Sequence, residues 1–377
     1  MRTELCDRFG IEYPIFVFTP SEKVAAAVTR AGGLGVLGCV RFNAAEDLED
    51  VLCWMDENTD GKPYGVDVVM PAKVPTEGSA VDINKLIPKT HRDFVDKTLA
   101  DLGVPPLSED NDRNEGVLGW LHSVARSHVD VALKHPIKLI ANALGSPPKD
   151  VIDQVHAAGV PVAALAGSAK HALRHVENGV DIVVAQGHEA GGHTGEIGSM
   201  VLWPEVIDGL RALGHQTPML AAGGIGTGRQ VAAALALGAH GVWMGSAFLT
   251  AAEYDLGVRT EAGTSVVQQA LLAATSSDTV RRRIYTGKPA RLLKSRWTEA
   301  WDAEGAPEPL PMPLQNILVS EAHQRMSESS DPTTVAMPVG QIVGRMNEIR
   351  PVADIIAELV DGFEEATNRL DEIRDRG

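Results

Sequence analysis

The chain has 377 residues, a formal net charge of -16, 44% hydrophobic and 22% charged residues, which allows a large buried core and argues against a disordered or fibrous protein. The negative balance, with no Lys/Arg block interleaved with aromatics, excludes a nucleic-acid partner. Cys6, Cys39 and Cys53 are odd in number and form no C-x-x-C pair, and the first twenty residues carry no apolar leader pattern, so a reduced, cytoplasmic protein without a disulfide framework or structural zinc is expected.

Along the chain, short β-rich runs alternate with helical patterns. The runs are PIFVF (14–18), GLGVLG (33–38), YGVDVVM (64–70), IKLIANAL (137–144), VPVAALAG (160–167), VDIVVAQG (180–187), TPMLAAGG (217–224) and HGVWMGSAF (240–248). They are near-continuously apolar, as parallel strands buried on both faces should be. Between them, segments such as SEKVAAAVTRAG, AAEDLEDVLCWMDEN, PPKDVIDQVHAAG, SAKHALRHVENG and GTGRQVAAALALG read as helices, several opening on Ser or Pro and closing on Gly. Eight such units predict an α/β fold of the (β/α)8 TIM-barrel type, with an inserted helical lobe and a C-terminal helical lid or subdomain.

The expected division is 1–74 for the first part of the barrel, 75–131 for the inserted helical lobe, 132–252 for the rest of the barrel with its ligand site, 253–310 for a mostly helical lid, and 311–377 for helices that close the barrel. The long apolar stretch 231–252 is broken by Gly238, Gly241 and Gly245, so it reads as helix, turn and strand and not as a membrane span.

In such a barrel, ligands sit at the C-terminal ends of the strands, with phosphate on the loops after the seventh and eighth. AAGGIGTG (221–228) and MGSAF (244–248) fall there, and Gly223, Gly224, Ile225, Gly245 and Ser246 can offer backbone amides, with a hydroxyl from Ser246. Without G-x-x-x-x-G-K-[ST], a monophosphate is the better fit than a nucleoside triphosphate.

AQGHEAGGHTG (185–195) follows the sixth strand and places His193 at the mouth, where an imidazole can take or give a proton near neutral pH. Its two histidines are five apart across two glycines, unlike the helical i, i+4 pair of H-E-x-x-H, so no metal is expected; a histidine bonded only to a carbonyl remains the alternative. His171 and His175 in HALRH read as surface residues. Lys288 and Arg291 in YTGKPAR are either anion contacts or a solvated loop.

AAVTRAGGLGVLG (26–38), VDIVVAQGHEAGGHTG (180–195), AAGGIGTGRQVAAALALGAHGVWMGSAFL (221–249) and, more weakly, YTGKPAR (285–291) resemble the nitronate monooxygenase, or 2-nitropropane dioxygenase, family, which also holds FMN-dependent NADH:quinone reductases and flavin enoyl-ACP reductases. The resemblance covers most of the barrel and implies non-covalent FMN across its mouth. It also implies a catalytic His193, a flavin-side segment of Gln186, Gly191 and Gly192, and a phosphate site of Gly223, Gly224, Gly245 and Ser246. Asp67, His188, Tyr285 and Lys288 are the candidate substrate contacts.

Two positions depart from the family pattern. PIFVFTPSEK replaces the usual P-M run after the first strand, and GVDV carries Asp67 where G-V-N is usual. The function implied is oxidation of alkyl nitronates with O2. The alternatives are an NAD(P)H-dependent flavin reductase or dehydrogenase acting on a quinone or an enoyl or acyl thioester, and, in another class, a phosphosugar isomerase or lyase. A small-molecule substrate, no membrane, and a monomer or homodimer complete the expectation.

Overall fold

Parallel strands can be joined only by crossovers that return outside the sheet, and the chain repeats that unit until the sheet meets itself. The computed structural model describes residues 1–70, 86–107, 122–257, 259 and 263–376. Its closed barrel runs β1 (Ile15–Thr19), β2 (Leu34–Gly38), β3 (Gly65–Val68), β4 (Leu139–Asn142), β5 (Val162–Ala166), β6 (Ile182–Gln186), β8 (Met219–Ala222) and β9 (Gly241–Met244), each pair parallel. These are the eight runs the sequence picks out. β7 (Gly192–His193) lies outside the barrel, in an antiparallel sheet of order β10 (Thr279–Arg282), β11 (Ala290–Leu293), β7.

Helices α2 (Glu22–Arg30), α3 (Ala45–Asn58), α5 (His122–Ala132), α6 (Lys149–Ala157), α7 (Ala169–Glu177), α8 (Ser199–Ala212) and α9 (Gly228–Ala236) follow successive strands, after a short α1 (Glu4–Phe9). Ser21 and Ser168 cap α2 and α7, each accepting a backbone N–H three residues on. The last helix, α13 (Val352–Asp375), packs on α9. The two approach through Gly228 and Gly362: a Cβ on Gly228 would lie 2.2 Å from the Leu359 carbonyl oxygen.

The stretch 231–252 is the predicted helix, turn and strand, and among the described residues no helix is long and apolar enough to cross a membrane. Of the proposed lobe, 75–85 and 108–121 lie outside the described residues. Its helix α4 (Lys89–Leu102) shares a satellite core with α11 (Arg296–Asp302) and α12 (Leu314–Glu328), where Val95, Leu99, Trp297, Trp301, Val319 and Met326 are buried. Between 253 and 310 the chain forms α10 (Val266–Ala273), the β10–β11 hairpin and α11, so strand as well as helix.

Side chains alternate across a strand, so the register decides which ones enter the barrel. Pairing of Phe16 with Leu34, Asp67 with Ala141, Ala163 with Ile182, Gln186 with Ala222 and Phe16 with Trp243 puts these on one side. Phe16, Leu34, Ala141, Ala163, Ile182, Ala222 and Trp243 indeed share one buried cluster. Asp67 and Gln186 therefore face the interior at the C-terminal rim.

His175 is corrected by the structure. It is buried, with Nδ1 2.6 Å from Ser146 Oγ and Nε2 3.0 Å from the Leu165 carbonyl oxygen. A histidine can pack inside a helix interface once both ring nitrogens have partners, and HALRH alone does not reveal that. His171 is exposed as expected.

Candidate active site

The HEAGGH segment is held by five residues before it delivers His193. The Arg291 guanidinium donates twice to the His188 carbonyl, at 3.1 and 3.0 Å, and the His188 amide donates to the Ile197 carbonyl at 2.8 Å. The Glu189 carbonyl accepts the Gln341 amide at 2.9 Å, and its carboxylate accepts the Ser199 amide and hydroxyl at 3.0 Å at the start of α8. Gln186 Nε2 donates to the Gly191 carbonyl at 3.3 Å.

Glu189 is thus committed to a helix N-terminus, where negative charge is favoured, and is not poised as a base. Arg291 is 4% exposed and bonded inside the fold, so the anion-contact and solvated-loop readings both give way to a structural one. His188 likewise folds back on its own loop, Nδ1 3.3 Å from the Gly195 carbonyl.

His193 ends the segment in β7, opposite Ala290. Its Nε2 lies 2.6 Å from the Thr286 hydroxyl, which the Lys288 amide approaches at 3.4 Å. Burial, with the Lys288 charge adding to it, pushes the His193 imidazole down to about 4, so at neutral pH the ring is uncharged. Thr286, Tyr285 and Lys288 sit together on the β10–β11 turn. Tyr285 stacks on His323 with centroids 4.8 Å apart, and Lys288 is exposed.

Gly191 serves packing: a Cβ there would come within 2.7 Å of the Val339–Gly340 backbone. A Cβ on Gly192, at φ +71, would meet nothing within 4 Å. Sequence reasoning missed Thr286, although it belongs to the quoted YTGKPAR, and it missed the VGQ segment at 339–341, which closes over Glu189–Gly191.

Beside β6 on the same rim, β8 and β9 are neighbours in register through Ala222 and Trp243. Gly223 and Gly224 follow β8 at φ +100 and +72, a conformation other residues rarely adopt. Gln230 holds the loop, accepting from the Gly226 amide and donating to the Gly224 carbonyl. Among the described residues the amides of Gly224, Ile225, Gly245 and Ser246 have no protein acceptor. Ser246 Oγ accepts the Gly340 amide at 2.9 Å and keeps its own O–H to donate. The four amides are unspent donors, and they suit an anion.

Asp67 is 2% exposed on the inward side of β3, and its Oδ2 has no hydrogen-bond partner among the described residues. Burial pushes its carboxyl up to about 8. Its neighbour Asn142 is satisfied, bonding Met70 and Gly145. An orphaned inward acid at the mouth, with unpaired amides across the rim, fits a polar ligand over the barrel and not a closed core.

Barrel, rim amides and an uncharged histidine define a TIM barrel whose mouth offers hydrogen-bond donors suited to an anionic ligand. The nitronate monooxygenase family model matches residues 2–362, and the chain belongs to that family of flavin-dependent oxidoreductases. It is 46% identical to the Mycobacterium tuberculosis protein named "Putative monooxygenase Rv1533", over 98% of each chain. With a "Probable nitronate monooxygenase" of Staphylococcus aureus strain Newman it shares 27% identity over 96% of this chain and 97% of the relative. Among solved structures it resembles nitroalkane oxidase from Streptomyces ansochromogenes, at TM-score 0.77, 26% identity and 97% and 99% coverage of the two chains. FabK from Thermotoga maritima follows at TM-score 0.73 and 26% identity, with 99% of each chain covered.

Proposed function

We propose that the chain holds FMN non-covalently and oxidises alkyl nitronates with O2, with His193 taking the α-proton where the substrate arrives as the neutral nitroalkane. The observation that carries this reading is the pairing of unspent amides at Gly224, Ile225, Gly245 and Ser246 with an inward, unpartnered Asp67 on the other side of the same mouth. The amides would take the FMN phosphate without a lysine. Gln186 and Gly192 would lie beside the ring, Gly192 leaving open space where a side chain would intrude. The bound FMN supplies the electron-accepting ring.

The protein's own part is proton and charge control. An uncharged His193 is ready to accept the proton from carbon next to a nitro group, and Thr286, at hydrogen-bond distance, fixes the ring's orientation. Lys288 on the same turn offers positive charge to an anionic substrate. The Asp67 carboxyl, neutral below about pH 8, would donate its proton in a hydrogen bond to the bound ligand and would not repel a nitronate until it ionises.

Asp67 also favours a second reading, in which reduced flavin passes electrons from NAD(P)H to an uncharged quinone or enoyl thioester, a substrate indifferent to that charge. Oxygen uptake with an alkyl nitronate, compared with NADH or NADPH oxidation in the presence of a quinone, separates the two. Turnover only with the nucleotide would replace the first reading by the second.

A further inference from the structure

Away from the mouth, helix α3 and the turn before β4 bring three metal-ligating side chains together. Glu49 and Cys53 are four residues apart on α3, hence on one face. His135 approaches that face from the turn after α5. One ligand atom from each, a carboxylate oxygen, Sγ and an imidazole nitrogen, lie within 4.8 Å of one another.

The histidine supplies an independent pointer. Its side chain is 6% exposed, and its Nε2 is buried without a hydrogen-bond partner, 3.6 Å from Glu49 Oε1. Its other nitrogen is committed: Nδ1 lies 2.7 Å from Asp56 Oδ2, while the Tyr64 hydroxyl donates to Asp56 Oδ1 at 2.6 Å. A carboxylate that accepts Nδ1–H fixes the tautomer and leaves the Nε2 lone pair toward Glu49 and Cys53. Metal-binding histidines are oriented by this kind of partner.

We propose that Glu49, Cys53 and His135 form a site for a zinc-type divalent cation, oriented by Asp56, that ties α3 to the turn before β4. A thiolate, imidazole and carboxylate set suits Zn2+ over Mg2+ or Ca2+, with a fourth position left for water. Lys134, whose Nζ is 3.6 Å from Glu49 Oε2, is exposed and can swing into solvent when the cation takes the carboxylate. Binding exchanges the Cys53 thiol proton for the metal–sulfur bond and changes no oxidation state. The site lies on the outside of the barrel, so it does not depend on the flavin reading.

The test uses the full chain, stripped with a chelator and titrated with Zn2+ against a chromophoric competitor. One equivalent is expected to bind, and Cys53→Ser and His135→Gln should each weaken it by about tenfold or more. Cys6 and Cys39 are buried and Cys53 is exposed, so a thiol reagent should modify Cys53 first, and stoichiometric Zn2+ but not Mg2+ should suppress that phase. Co2+ should give a sulfur-to-metal charge-transfer band that Cys53→Ser abolishes. Unchanged affinity in both variants, or a Cys53 reactivity indifferent to Zn2+, would overturn the proposal. Cys53 is exposed on its helix, so its serine variant tests the site without a folding defect.

Discussion

Two side chains at the mouth carry opposite electrostatic burdens, and each gives a measurable pH signature. His193 is held below its ordinary value, so the unfolded chain binds the extra proton between about pH 6.5 and 4 and its contribution to stability is lost as pH falls through that window. Above it the ring is an uncharged base. His193→Gln should cut kcat/KM for a neutral nitroalkane by about 10²–10⁴-fold. The loss should be much smaller for a preformed nitronate, which needs no proton removed. Equal losses on both substrates would assign His193 to binding instead.

Asp67 works the other way. Its folded value is raised, so its contribution is whole below about pH 4 and is lost as pH rises toward about 8, where burying the charge costs roughly 2–5 kcal/mol. Asp67→Asn should therefore gain stability over the parent progressively from pH 4 to 8 in thermal unfolding. It should also remove a decline in nitronate turnover near pH 8. A stability difference flat across that range would mean the carboxyl is not buried as described.

Whole segments explain why part of the site could be read from the residues and part could not. The eight strands and their helices follow from apolar runs punctuated by glycine, a local signal, and the rim glycines follow from their place after β8 and β9. The hairpin that holds His193 is a different matter. β7 is two residues long and gains its partner β11 from nearly a hundred residues on, so no periodicity marks it, and Thr286 stays hidden with it. Arg291 and His175 look solvent-facing in sequence because their partners, the His188 carbonyl and Ser146, come from distant elements.

Close approach of elements is equally invisible until the structure shows it. At the α9–α13 contact, Gly228→Val would drive a side chain into the backbone of Leu359–Phe363. The expected result is a loss of roughly 3 kcal/mol or more, by analogy with overpacked cores, seen as a lower melting temperature. Unchanged melting would mean that α13 is not seated on α9.

Taken as one molecule, the barrel keeps its acid, its histidine and its unpaired amides at one end of the strands, while its interior below is apolar: Phe16, Leu34, Val36, Ile182, Val184 and Leu220 fill it. In the proposed reading that division makes the mouth the meeting place of flavin and small substrate, with Lys288 offering local positive charge in a chain of net charge -16. The fold and the family were readable from strand punctuation and from EAGGH with AAGGI. The choice of substrate was not: in the proposed reading it turns on whether Asp67 is charged, a property of its burial.

The most direct measurement is anaerobic mixing of the purified protein with an alkyl nitronate, following the visible flavin band, after the released cofactor has been identified. One equivalent of FMN that is reduced by the nitronate and stays oxidised with NADH and NADPH is the predicted result. A protein without flavin, or one whose flavin is reduced by a nicotinamide nucleotide and not by the nitronate, would contradict it.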